Sequence, residues 1–172
     1  MKKIISLVLL FILMVSCEKS VVNLSDSEKA QQKQIIESFL NEWHLAASQA
    51  NYANYFDKMA ENSVFIGTDA SEIWSKKQFE NYSKPHFDKG KAWDFKALER
   101  NIYITETGNF AWFDENLQTN RGTFRGSGVL EKTENNWKLK HYVLSVPIPN
   151  DDMNEVVKIT RKNDSIFQRK FN

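Results

Sequence analysis

The sequence predicts an α+β fold: a curved antiparallel sheet wrapped around amino-terminal helices, leaving a cone-shaped interior. Three observations point to it. Apolar residues recur at helical spacing between residues 27 and 49. Short strand-like segments, separated by turns rich in Gly and Asn, fill residues 93–146. The helical patterns come before the strands in chain order. That order places helices on one face of an antiparallel sheet. A sheet curling around a long helix packs its closed end as core and keeps an open end that can hold a ligand.

Each element has its own signals. Ser25 or Ser27 can cap a first helix, with Asp26 and Glu28 favourable near its positive end. Ile35, Ile36, Phe39, Leu40, Trp43 and Leu45 to Ala47 then mark an amphipathic helix over residues 27–49. Asn51 breaks or restarts it, and "YANYFDKMA", Tyr52 to Ala60, reads as a second, short helix. "SVFIGTD" reads as a strand closed by Gly67. Ser75 caps a third helix over residues 76–84, which Pro85 is expected to end. A turn follows around Gly90.

Four strands come next. They are "WDFKALERNIYITET" from Trp93, "FAWFDENLQT" from Phe110, "TFRGSGVLEKTE" from Thr123 and "WKLKHYVLSVPIP" from Trp137. Gly108-Asn109, Asn120-Arg121-Gly122 and Asn135-Asn136 supply the turns. Pro147 and Pro149 stop the last strand, and "MNEVVKITRK" from Met153 reads as a final helix.

Bulk properties narrow the function. In 172 residues, 41% are hydrophobic and 13% aromatic, enough for one domain with a sizeable core. A net charge of +1 and the lack of a basic stripe exclude a nucleic-acid partner. The single cysteine excludes an internal disulfide.

The amino terminus reads as a secretion signal. Lys2 and Lys3 precede the apolar run Ile4 to Ser16. That run is shorter than the roughly 20 residues of a membrane-spanning helix. It ends at Cys17, and Leu13-Met14-Val15-Ser16-Cys17 resembles the lipobox of bacterial lipoproteins. The resemblance implies cleavage before Cys17 and acylation of its thiol, which anchors the protein to a membrane. Glu18 and Lys19 carry no inner-membrane retention aspartate, so the expected address is the bacterial cell envelope, at the outer membrane. The chain then divides into a signal peptide (1–16), a tether (17–26), a folded domain (27–149) and a carboxy-terminal helix and tail (150–172).

The stretches "YFDKMAENSVFIGTDASEIWSKKQFENY" and "RGSGVLEKTENNWKLKHYVLSVPIPND" resemble the nuclear transport factor 2-like superfamily, and within it the SnoaL-like domains. The likeness spans residues 28–160. It implies the cone fold, whose relatives include isomerases, cyclases, dehydratases and plain binding modules. Steroid isomerases of the superfamily carry an inward aspartate on the first strand. Here Phe65 or Ile66 stands there, which weighs against that mechanism.

Several residues are candidates for a site. Asp69 reads as a turn cap or a pocket-rim acceptor. Asp114 shares a strand face with Phe110, Trp112 and Asn116; turned inward, it would be desolvated and able to act as a base. The alternative turns Ala111, Phe113 and Leu117 inward instead. His86 lies near the expected opening, and a reference pKa of about 6.5 suits it to proton transfer. His44 reads as a helix-surface residue, and the face carrying His141 is undecided.

Trp43, Phe65, Trp74, Phe79, Tyr82 and Trp112 are the aromatic candidates for lining a cavity, joined there by Asp69 and Asp114. No metal-ligand spacing, phosphate loop or nucleophile elbow occurs, so no metal and no cofactor is expected. Three functions follow: a lipid-anchored binder of a small, largely apolar molecule, an isomerase or cyclase using an Asp base, or a homodimeric assembly module.

Overall fold

The computed structural model of the protein describes residues 22–134 and 136–172. The expected signal peptide and Cys17 lie outside the described residues. Helix α1 (Asp26–Ser48) starts at Ser25, whose Oγ accepts the backbone N–H of Glu28 while the Glu28 carboxylate accepts that of Ser25. This reciprocal cap satisfies two donors that the first turn leaves free. Ile36, Leu40, Trp43, His44 and Ala47 form the buried stripe of α1. Asn51 caps the short α2 (Tyr52–Asp57), which adds Tyr55 and Phe56 to the core.

Six strands follow: β1 (Met59–Ile66), β2 (Ile73–Ser75), β3 (Lys96–Ile104), β4 (Phe110–Thr119), β5 (Gly122–Thr133) and β6 (Asn136–Ser145). Helix α3 (Lys76–Asp88) lies between β2 and β3, and α4 (Met153–Gln168) ends the fold. The strands form one curved, unclosed sheet in the order β2-β1-β6-β5-β4-β3. It is mixed rather than wholly antiparallel. β3 to β6 run as hairpins, but β1 enters from the helices and pairs parallel with β6, Phe65 beside Tyr142.

Three local expectations change. The strand expected at Ser63 begins at Met59, because its early residues pair beside Leu139. β2 is three residues of Ile, Trp and Ser, too short for periodicity to reveal. α3 does not stop at Pro85 but runs on to Asp88. The proline costs one backbone hydrogen bond, to the Asn81 carbonyl. Phe87 repays it by burying its ring against Tyr52, Tyr55, Phe56 and Trp93.

The core sits between α1 and the concave face of the sheet. Trp43 stacks on Tyr55 (5.0 Å) and meets Tyr142 edge-on (4.8 Å). Along β6, Trp137 and Leu139 point inward, and so do Tyr142 and Leu144. The inward parity changes because the pairing with β5 slips between Val129/His141 and Leu130/Leu139. A bulge inserts one residue and turns the following side chains to the other face. Neither uniform face of this strand is therefore the inner one, and His141 is left half-buried.

Two glycines of β5 allow close approach here. A Cβ on Gly128 would lie 2.8 Å from the His141 backbone oxygen and 2.6 Å from the Phe113 ring. A backbone atom cannot swing aside. Gly128→Ala is expected to destabilise the fold by about 1–3 kcal/mol, read as a lower urea midpoint at unchanged slope.

Candidate functional site

The open end of the cone holds a cavity of about 780 Å³. One wall is an aromatic ladder. Tyr82 stacks on Trp74 (4.6 Å), Trp74 on Phe79 (5.6 Å), and Phe79 on Phe65 (3.8 Å, with ring planes 15° apart). The ladder exists because β1 and β2 place Phe65 and Trp74 directly opposite each other, and α3 lays Phe79 and Tyr82 against them. Ser75 starts that helix with a capping box to Gln78, which fixes where the two rings land. Phe95, Phe124 and Leu144 line the far side. Polar groups gather at the rim, among them His86, Lys91, Asp94 and Arg121.

Beneath this cavity lies a buried polar cluster centred on Glu115. His44 Nε2 is 2.8 Å from Glu115 Oε1, and Tyr142 Oη donates to the same oxygen at 3.1 Å. Arg100 Nε donates to Oε2 at 2.9 Å, and its Nη2 lies 2.8 Å from that oxygen. Arg100 Nη1 continues to Glu37 Oε1 (2.7 Å) and Asn41 Oδ1 (2.8 Å) on α1. An ionised carboxylate only accepts, so Nε2 of His44 bears a proton and donates it to Oε1.

Burial pushes the Glu115 carboxyl up. The hydrogen bond and charge of His44, with the guanidinium of Arg100, outweigh that and hold it below its ordinary value. Burial, reinforced by the neighbouring Glu115 charge, pushes the Tyr142 hydroxyl well up, so it stays a donor. None of His44, Arg100, Glu115 and Tyr142 lines the cavity. Phe95 lies between, lining the cavity and meeting His44 edge-on at 6.0 Å.

The structure sorts the sequence candidates. Phe65, Trp74, Phe79, Tyr82 and His86 line the cavity. Trp43 does not: it is 1% exposed in the core, with its indole N–H unpartnered. Asp69 is a turn cap, its Oδ1 accepting the backbone N–H (2.8 Å) and the hydroxyl of Ser71.

Trp112 and Asp114 are corrections. They face outward: Trp112 is 47% exposed and stacks on Tyr103, and Asp114 accepts from Asn101. Ala111, Phe113, Glu115 and Leu117 are the inner face of β4. His44 is a second correction, being buried rather than on the helix surface. Glu115 and Arg100 escaped the sequence reading. The signal was present: Glu115 is the one carboxylate on the strand face that otherwise carries Ala, Phe and Leu. Among the described residues no cluster of His, Cys, Asp and Glu is arranged to hold a metal ion.

The model of the SnoaL-like domain matches residues 36–149. The chain belongs to the SnoaL-like domain family. Similar solved structures agree on the fold. A nuclear transport factor 2-like protein of unknown function from Pseudomonas putida is 11% identical at TM-score 0.60, covering 70% of this chain and 90% of its own. One from Cytophaga hutchinsonii is 16% identical at TM-score 0.56, covering 67% and 98%. A putative scytalone dehydratase from Novosphingobium aromaticivorans is 8% identical at TM-score 0.61, covering 72% and 89%. No curated protein matches the sequence.

In this SnoaL-like domain, removing the Glu115 charge takes from the buried Arg100 guanidinium its buried carboxylate partner and leaves it only the half-exposed Glu37. Glu115→Ala is expected to cost about 3–5 kcal/mol of stability in chemical denaturation. The acid limb of stability carries a second signature. A carboxyl held low in the fold contributes fully above its ordinary value near 4.5 and loses that contribution as pH falls through its lower folded value. Between pH 5 and 2 the wild type therefore loses more stability than Glu115→Gln does. Equal acid slopes would contradict the role given to Glu115.

Proposed function

We propose that this SnoaL-like protein binds a small, flat, largely apolar molecule in the open end of its cone and is held at a bacterial membrane by acylated Cys17. The observation that carries the binding reading is the aromatic ladder bordering a cavity of about 780 Å³, within the size range of small-molecule sites. Phe65 and Phe79 are core residues, so the accessible part of the ladder is half-buried Trp74 and exposed Tyr82, two rings that offer a flat ligand apolar area at little cost in side-chain freedom. The engagement of both Glu115 oxygens supports binding over carboxylate-base chemistry. Oε1 is held by His44 and Tyr142 and Oε2 by Arg100, and Glu115 is not among the residues that line the cavity.

The anchoring reading rests on the lipobox-like residues ending at Cys17. No helix among the described residues is long and apolar enough to cross a membrane. On the anchoring reading, attachment is made by the acyl chains, whose several anchored methylenes each contribute about 0.8 kcal/mol.

Mass spectrometry of small molecules copurified from native membranes tests the binding reading. Wild type and the outer-face variant Trp112→Ala are expected to carry the same bound species, and Trp74→Ala to carry at least about fivefold less. Finding no bound species in the wild type, or an undiminished one in Trp74→Ala, counts against it. Cys17→Ser is expected to abolish incorporation of labelled palmitate and move the protein out of the membrane fraction.

A further inference from the structure

The charges around the cavity mouth say more about the ligand than its aromatic wall does. Some lysines elsewhere meet a carboxylate, as Lys29 does Glu106, Lys58 Glu42, Lys76 Glu61 and Lys140 Glu131, while among the described residues others such as Lys33, Lys89 and Lys132 do not; what sets Lys91, Lys96 and Arg121 apart is that they line the cavity. Lys91, Lys96 and Arg121 line the cavity, and among the described residues none of them is within ion-pair distance of a carboxylate.

Lys96 and Arg121 lie together at one side. Lys96 opens β3 opposite Gln118, near the end of β4, and Arg121 sits in the turn that leaves β4. Lys91 lies in the link that feeds β3. The sheet order puts this β3–β4 corner at the far end from β1 and β2, which carry Phe65 and Trp74 of the ladder. Two carboxylates share the lining. Glu72 is on the ladder side, in the loop joining β1 and β2, where its Oε2 accepts the Asp69 backbone N–H at 3.2 Å. Asp94 lies in the link between Lys91 and Lys96 and offsets part of their charge. The cavity therefore runs from stacked rings at one end to a cationic corner at the other.

We infer that the ligand is a flat aromatic or polyene-like acid, its apolar body on Trp74 and Tyr82 and its single anionic group at Lys96 and Arg121. This rests on the binding reading above and names the class of ligand. Cations held without protein partners beside an apolar surface favour a ligand that brings the missing counter-charge. Such exposed pairs are individually weak and screened by salt. Affinity accordingly comes from the rings, while the charge selects acids over neutral molecules of the same shape.

A matched pair of fluorescent probes tests the inference: 8-anilinonaphthalene-1-sulfonate and its uncharged counterpart N-phenyl-1-naphthylamine. At low ionic strength the sulfonate is expected to bind the purified protein about tenfold more tightly, the order that two exposed charge pairs supply together. Raising the salt should shrink that preference. In Lys96→Gln/Arg121→Gln the two probes should bind about equally, with the neutral probe's affinity unchanged. Equal binding by the wild type, or a preference that survives the double substitution, overturns the assignment of an acid and leaves the cavity reading standing. Binding of neither probe, or signals undiminished in Trp74→Ala, overturns the cavity reading itself.

Discussion

The rest of the structure depends on the carboxylate of Glu115. It sits on the inner face of β4, and its oxygens are reached by His44 from α1, Arg100 from β3 and Tyr142 from β6. Arg100 then returns to α1 through Glu37 and Asn41. Apolar contacts between a helix and a sheet tolerate small slides, since many offsets bury similar area. Charge-assisted hydrogen bonds do not, because they weaken steeply with distance and angle. A carboxylate held from three elements thus leaves α1 one height and one rotation over the sheet. A buried ion pair adds little net stability, since desolvation offsets the attraction. Its effect here is to set where the helix lies, and with it the shape of the cone.

The glycine opposite Glu115 belongs to the same constraint. Gly126 pairs with Glu115 across β4 and β5. A Cβ there would meet Tyr142 Oη at 2.2 Å and Glu115 Oε1 at 2.9 Å. The missing methyl is the space in which the phenol and carboxylate meet. The bulge in β6 is the other requirement, for it turns Tyr142 inward after Leu139 has already pointed that way. A bulge and a glycine, both weak features within a strand, together admit the network.

Much of the fold was legible because it follows from periodicity and caps. α1, the hairpins β3 to β6 and the capping role of Ser75 all obey local rules. The failures have physical causes. Pro85 signals a helix end, but the rings around Phe87 hold the helix together beyond it. Trp112 beside Asp114 resembles an inward polar site, yet on β4 the alternating small and apolar residues decide the face, which sends Trp112 outward to stack on Tyr103. His44 shows the limit of reading one helix alone. Its partner is 71 positions away, and nothing within α1 announces that contact. On the cavity wall the sequence named Phe65, Trp74, Phe79 and Tyr82. What it lacked was the cationic corner, which arises only when the start of β3 and the turn after β4 meet in space.

The position of Phe95 joins the two polar regions of the molecule and keeps them apart. Its ring meets His44 edge-on at 6.0 Å, lies 6.2 Å from Phe124 and lines the cavity. Glu115, Tyr142 and His44 are buried and none lines the cavity, so the cluster's bonds keep the strength of a desolvated setting. The lip is held just as firmly. Phe87, at the end of α3, is 4% exposed among core rings, and Trp93 is stacked on Phe79 at 5.6 Å and set edge-on to Tyr55. Moving the lip would pull those rings from the core at about 1.5–3 kcal/mol for each one exposed. The cavity is accordingly preformed. On the binding proposal, a ligand that fits it would need to order little of the protein, and selectivity would fall to the few charged side chains at the rim.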